Sequence, residues 1–278
     1  MNTFKTTLLL TALTVLVLFA GMAIAGPRGL QMALVFAALM NLGSYWFSDK
    51  IVLAMHRAKP LEKDEDPQLH EMVESLCARS GLPKPRLFLL PSEAPNAFAT
   101  GRDPKHAAVA ITHGLRRLMS REELEGVIAH ELAHVRNRDI LIASIVATLA
   151  GAIMVISHLG RWALIFGGFR GSEDRGGGGL GALLGIILAP IAAALIQMAI
   201  SRSREYQADA TAAEIVGYPN GLASALVKLD QASKRIPMQT SPVTSHMFIV
   251  APLWGGSFRR LFSTHPPVEE RVRRLLGR

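Results

Sequence analysis

Two histidines and a glutamate in one short segment have the spacing of a metal site. The run His130-Glu131-Leu132-Ala133-His134 forms an HExxH motif. Residues four apart lie on the same face of an α-helix, so both imidazoles can reach a single tetrahedral zinc ion. The adjacent Glu131 carboxylate can take a proton from an attacking water and return it to the leaving amine. The motif therefore predicts zinc-dependent hydrolysis, although two histidines on an ordinary surface helix would have the same pattern.

The polar segment 201–209 could supply the third protein ligand that a catalytic zinc requires. Glu205 is the best candidate, and Asp209 follows it by one helical turn on the same face. Asp209 can accept a hydrogen bond from a ligand histidine and fix the tautomer of that histidine. A solvated helix with an arginine–glutamate pair is the alternative for this segment. The HExxH motif favours the metal site.

The elements that must position these residues are mainly helical. Ser120 and Glu123 have the spacing of a capping box, which predicts a helix from Ser120 through Asn137. Before it, the pattern predicts an amphipathic helix and two strands; after it, three more helices. The helices are expected at residues 69–80, 201–216, 221–233 and 267–276, and the strands at 85–90 and 107–112. The polar segments therefore predict an α/β domain, mainly helical, with a small sheet.

Four apolar runs interrupt these polar segments, at residues 6–25, 30–47, 140–157 and 180–200. Each is near the roughly 20 residues that a helix needs to span a bilayer. The first could instead be a secretory signal that ends at Ala23-Ile24-Ala25, but its apolar core exceeds the usual length of about 7–15 residues. The division that follows is a pair of transmembrane helices in residues 1–58, catalytic segments at 59–139 and 201–278, and a transmembrane hairpin at 140–200. The first pair would be joined by a tight turn at 26–29, and the second by an outer loop at 159–179.

Basic residues predict which side of the membrane holds the polar segments. They flank the apolar runs on one side, whereas the outer loop carries fewer, partly offset by Glu173 and Asp174. By the positive-inside rule, the polar segments are cytoplasmic. His134 lies about six residues before the third run and Glu205 about five after the fourth, roughly 7–9 Å at helical rise. Both ligands should therefore meet just above the cytoplasmic membrane surface. The flanking residues are Lys50, Arg57, Lys59, Lys63, Arg136, Arg138, Arg202 and Arg204.

Composition excludes several other classes of site. The formal charge is +8, but the basic residues are scattered, without an aromatic-interleaved patch, so no nucleic-acid partner is predicted. The lone Cys77 excludes an intramolecular disulfide and a thiolate metal site. Half of the residues are hydrophobic, which favours the lipid bilayer as a partner.

Four motifs together resemble the HtpX-type membrane zinc peptidases, relatives of the CAAX prenyl endopeptidases in the gluzincin group. The resemblance implies a zincin-like catalytic domain with Glu205 as the third ligand and Asp209 in support of a ligand histidine. Only one set of ligands has workable spacing, so one zinc ion per chain is expected. It also implies a bacterial inner-membrane quality-control protease that acts on damaged or misassembled membrane proteins. The motifs are Asn96-Ala97-Phe98-Ala99 with Gly101, the HExxH segment, Arg204-Glu205-Tyr206 with Ala208-Asp209, and Thr264-His265-Pro266-Pro267 followed by Arg271.

The same resemblance assigns roles to residues that spacing alone leaves open. It implies that His265 stabilises the developing oxyanion, that Arg271 supports the region of Asp209, and that Asn96 contacts the substrate backbone. It also implies that the strand at 107–112 is the sheet edge that pairs with an extended polypeptide substrate. From the residues alone, His265 and Asn96 could each be a simple turn residue beside proline.

Three other functions fit the sequence less well than a peptidase at the membrane surface. Charged residues around the motif, such as Glu122 and Arg136, disfavour a zinc site inside the bilayer. A catalytically silent, zinc-stabilised membrane scaffold or chaperone is the alternative from another class, but a structural zinc needs no base such as Glu131. A transporter is disfavoured because the predicted spans carry no ionisable residues.

Overall fold

The computed structural model describes residues 2–150, 202–236, 244, 247–249 and 266–277. These residues form a mainly helical structure with one small mixed sheet, as the sequence predicts. The helices are α1 (Asn2–Met55), α2 (Pro67–Ser80), α3 (His113–Leu118), α4 (Arg121–Arg136), α5 (Ile140–Ala150), α6 (Arg202–Val216), α7 (Asn220–Arg235) and α8 (Val268–Leu275). The strands are β1 (Lys59–Pro60), β2 (Arg86–Leu90), β3 (Ala97–Thr100) and β4 (Ala108–Thr112).

The first helical element, α1, folds back on itself at Gly26. Gly26 has φ +60°, a conformation that glycine adopts without the steric cost of a side chain. Nδ2 of Asn41 donates a hydrogen bond to Oγ1 of Thr14 at 2.8 Å, although 27 positions separate them in the sequence. In a straight helix these residues would be roughly 40 Å apart. The two halves of α1 therefore run antiparallel, with the reversal inside the predicted turn at 26–29.

One helical stretch among the described residues, Gly26–Met55, is long and apolar enough to cross a membrane. It exposes large apolar side chains, including Leu34, Leu39 and Trp46, as expected of a surface covered by lipid. The predicted third span is described as an apolar helix as far as Ala150. The predicted fourth span and outer loop lie outside the described residues. The arrangement of four spans and the division into domains therefore remain predictions.

The sheet has the strand order β1-β2-β4-β3. β4 pairs in parallel with β2 on one side and antiparallel with β3 on the other. The prediction that residues 107–112 form the free edge is therefore wrong, because β4 is an inner strand and β3 is the edge beside it. All five residues of β4 are buried, as is typical of a strand covered on both faces.

The two faces of the sheet pack against different layers. Side chains alternate along β4, so that Val109 and Ile111 join the core formed with α2, α4, α6 and α7. Ala108 and Ala110 face the opposite way, into a cluster with Val52 of α1 and with α5. The sheet thus lies between the helix that carries the HExxH motif and the ends of the apolar helices.

The N-terminus of α4 is fixed to α7. The capping box is present, with Oγ of Ser120 accepting from the backbone of Glu123, whose carboxylate accepts from the backbone of Ser120. Glu123 also pairs with Lys228 at 2.8 Å. One turn before the first histidine, a Cβ on Gly126 would lie 2.6 Å from the backbone nitrogen of Leu222. Only glycine therefore allows α4 and α7 to approach so closely.

Candidate metal centre

Three side chains from α4 and α6 converge on one point. Nε2 of His130 and Nε2 of His134 are 3.2 Å apart. Glu205 approaches both, with Oε2 at 3.8 Å from Nε2 of His130 and Oε1 at 3.6 Å from Nε2 of His134. His130 is 1% exposed and Glu205 7% exposed. The structure therefore brings together the three ligands that the sequence analysis singled out.

These distances fit a zinc ion. Ligand atoms at 2.0–2.2 Å from one tetrahedral zinc lie about 3.3–3.6 Å from each other. The separations of 3.2, 3.6 and 3.8 Å are close to that value. Two imidazole nitrogens and one carboxylate form a donor set typical of catalytic zinc with an open fourth position.

Asp209 holds the outer nitrogen of His130. Its Oδ1 lies 3.0 Å from Nδ1 of His130, which leaves Nε2 directed at the metal position. Arg271, 1% exposed, donates to Asp209 from Nε at 2.8 Å and from Nη2 at 2.7 Å. Burial opposes ionisation of Asp209, but Arg271 and His130 outweigh it and lower the pKa of this carboxyl to about 2. Nη1 of Arg271 also lies 3.5 Å from Oε2 of Glu205.

Asp139 makes the equivalent contact with the second histidine, and the sequence analysis missed it. Its Oδ2 lies 3.4 Å from Nδ1 of His134. Asp139 lies beyond the end of the helix that carries the motif, so helical spacing does not place it beside His134. An acidic residue just beyond the C-terminus of that helix was the one signal that could have indicated it.

Glu131 is buried beside the three ligands. Burial, together with the charge of Glu205, raises the pKa of Glu131 to about 7 against the opposing effect of His134. The backbone N–H of Ala99 donates a hydrogen bond to this carboxylate. Glu131 is therefore oriented by the edge strand β3.

The outward edge of β3 faces this centre. The backbone oxygen of Ala97 accepts a hydrogen bond from the N–H of Ile249 at 3.3 Å. The backbone oxygen of Ile249 accepts in turn from Nη1 of Arg271 at 3.0 Å. Asn96, 4% exposed, immediately precedes β3, and its Oδ1 accepts from the N–H of Ala97 at 3.1 Å. The predicted oxyanion residue, His265, lies outside the described residues.

Comparisons with known proteins show which proteins this chain is similar to. Residues 63–278 match the family described as peptidase family M48. A protease HtpX homolog from Syntrophobacter fumaroxidans is 56% identical over 275 residues, which cover 98% of this chain and 98% of the relative. Another, from Syntrophotalea carbinolica, is 57% identical over 276 residues, which cover 99% of this chain and 98% of the relative. The crystal structure of Ste24p from S. mikatae shares the fold, with a TM-score of 0.54 and 23% identity over 99% of this chain and 65% of Ste24p.

Proposed function

This chain belongs to peptidase family M48 and is a membrane metalloprotease, and we propose that it cleaves peptide bonds at one zinc ion bound by His130, His134 and Glu205. The observation that carries this proposal is the convergence of the three ligand atoms, which all lie within 4.8 Å of one another. Each histidine also has Nδ1 against a carboxylate, so Nε2 is the nitrogen of each ring that would bind the metal.

We propose the following division of labour in the reaction. A zinc ion at this site would polarise the scissile carbonyl and lower the pKa of water to around neutrality. The Ala99 N–H orients the Glu131 carboxylate. Glu131 accepts the proton of the attacking water and delivers it to the leaving amine. Arg271 donates hydrogen bonds to Asp209, and Asp209 contacts Nδ1 of His130 and so sets the orientation of that ring. By resemblance to the family, His265 stabilises the oxyanion.

The outward edge of β3 is the proposed binding strand for an extended polypeptide. The Ala99 N–H on this edge donates to Glu131, so a substrate strand that takes the place of the Ile249 N–H at the backbone oxygen of Ala97 would pass the catalytic carboxylate. Asn96, which immediately precedes this strand, is the proposed contact for the substrate backbone. This assignment moves the binding edge from β4, as first predicted, to β3.

We further propose that the enzyme is a multi-pass inner-membrane protein with its catalytic domain in the cytoplasm. The apolar helix Gly26–Met55 and the basic residues that follow it support this orientation. A catalytic centre next to the bilayer suits membrane proteins and unfolded proteins as substrates, in a quality-control role. A catalytically silent scaffold is not favoured, because the chain belongs to a peptidase family and carries Glu131 at its metal centre.

The test is cleavage of an unfolded protein such as casein by the full-length protein in detergent. The zinc-loaded wild type should cleave it, whereas Glu131→Gln should not. Glu122→Gln is the matched control, since it removes an exposed carboxylate from the first turn of the same helix and should keep the wild-type rate. Cleavage by Glu131→Gln at the wild-type rate would overturn the proposal.

A further inference from the structure

The C-terminus of α4 turns back onto its own last ligand. Arg138 has φ +58°, in the left-handed region where glycine is usual. The N–H of Arg138 donates to the backbone oxygen of Val135 at 3.1 Å, and the N–H of Asp139 donates to the backbone oxygen of His134 at 3.0 Å. These two hydrogen bonds form a Schellman turn. The turn therefore returns the residue after the helix to the level of His134.

The turn gives the Asp139 carboxylate contacts on two sides. Oδ2 lies 3.4 Å from Nδ1 of His134, and Oδ1 lies 3.9 Å from Nη1 of Arg204. The side chains of Arg204 and Asp139 are only 12% and 10% exposed. Because water screens this ion pair little, Asp139 helps to balance the charge of Arg204, as Glu205 also does.

The two partners belong to different segments of the chain. Asp139 immediately precedes α5, and its backbone oxygen accepts from the N–H of Ala143 at 3.3 Å. Arg204 lies in α6, immediately before Glu205. The ion pair therefore joins the residue before α5 to α6 at the level of the metal ligands, although the two helices are far apart in the sequence.

We propose that Asp139 and Arg204 are positioning residues of the metal centre, an inference that rests on the zinc site proposed above. Asp139 holds the Nδ1–H of His134, so that the lone pair of Nε2 points towards the metal position. Arg204 holds Asp139 and thereby ties His134 to the helix that carries Glu205. Asp139 thus does for His134 what Asp209 does for His130.

The experiment measures how fast zinc leaves the full-length protein in detergent when excess chelator is added. Asp139→Ala should lose zinc about 10–100-fold faster than the wild type. Asp139→Asn keeps a hydrogen-bond acceptor but loses the charge, so its effect should be smaller and in the same direction. Arg204→Gln should also accelerate the loss. In the double variant Asp139→Ala/Arg204→Gln the acceleration should be smaller than the product of the two single effects, because Arg204 acts in part through Asp139.

The control is Arg136→Gln, since Arg136 lies on α4 with the two histidines. This change breaks an exposed ion pair with Glu214 of α6 at 3.5 Å and should leave zinc release unchanged. Zinc release from Asp139→Ala at the control rate would overturn the inference, as would additive effects of Asp139 and Arg204. If Asp139→Ala does not fold, Asp139→Asn decides in its place. A wild type that binds no zinc would instead refute the proposed function, so the two failures are distinguishable.

Discussion

Glu131 and Glu205 are two buried carboxylates with different assigned roles, so they should fail differently when each is changed to glutamine. Glu131→Gln keeps all three ligands, so zinc should remain while turnover falls by about 100- to 10,000-fold. Glu205→Gln replaces an anionic ligand with a weak neutral one, so zinc affinity should fall and added zinc should restore part of the activity. Metal content and casein cleavage, measured side by side, test both. Loss of zinc from Glu131→Gln, with zinc and rate kept in Glu205→Gln, would mean that the roles are reversed.

The charge of His134 predicts how zinc binding depends on pH. Burial opposes protonation of this ring, but Asp139, Glu205 and Glu131 outweigh it and raise its pKa to about 9. Below that pH the metal-free imidazole is protonated on both nitrogens, and zinc must displace the proton on Nε2. Apparent zinc affinity should therefore rise by about 50-fold between pH 7 and pH 9 and level off above pH 9. Competition with a chromophoric chelator of known protonation measures this, and an affinity that is flat over that window would contradict it.

The sequence predicts some residues of the site better than others. The spacing within α4 indicated His130 and His134 directly, because helical periodicity alone puts them on one face. Glu205 comes from another helix and depended on the predicted spans and on the family resemblance. Asp139 was not predicted, because it reaches His134 through a left-handed turn at Arg138, where neither glycine nor asparagine signals such a turn.

At the scale of elements, caps and periodicity predicted most helices to within a few residues. Ser120 begins α4 as its capping box indicates. β3 was missed, because Ala97–Thr100 is a four-residue run after a proline–asparagine turn and is defined by its pairing with β4 rather than by its own pattern. The edge was consequently assigned to the wrong strand.

Glu123 links the cap of α4 to α7, which predicts a loss of stability in Glu123→Ala. Burial opposes its ionisation, but hydrogen bonds from Lys228, Ser224 and the backbone of Ser120 lower its pKa to about 2. Removing the carboxylate should cost about 1–2 kcal/mol. Because the folded pKa lies below the usual 4.5, this contribution should be complete above about pH 5 and disappear as pH falls towards 2.

Thermal unfolding of the two proteins in detergent measures this difference across the pH range. Glu122→Ala is the control, because it removes a carboxylate from the same helical turn without touching the cap. Equal melting temperatures for Glu123→Ala and Glu122→Ala at neutral pH would show that the cap does not stabilise α4.

At the scale of the whole molecule, the resemblance to the HtpX-type peptidases is confirmed by relatives that match nearly the full length. Composition and hydropathy indicated a membrane protein, because half the chain is hydrophobic. They could not give the order of the strands, since the pairing of β2 with β4 and of β4 with β3 depends on contacts between segments distant in the sequence.

The orientation of the chain gives a prediction at this scale. Basic residues after Gly26–Met55 predict that the catalytic segment and the C-terminus are cytoplasmic. Reporters fused after Gly101 and after Arg278 should therefore both report the cytoplasm in bacterial cells. A reporter fused in the turn at Gly26 should report the opposite side. Extracytoplasmic signals from both Gly101 and Arg278 would contradict the orientation.

The most direct test of the central claim is zinc K-edge X-ray absorption on purified Glu131→Gln protein, which keeps the ligands but should not digest itself. We predict one zinc ion per chain with two imidazole nitrogens and carboxylate oxygen at about 2.0–2.2 Å. The signal should be lost from the His130→Ala/His134→Ala variant. A zinc coordination shell without imidazole nitrogen would contradict the assignment of this centre. Full zinc occupancy in the His130→Ala/His134→Ala variant would contradict it too.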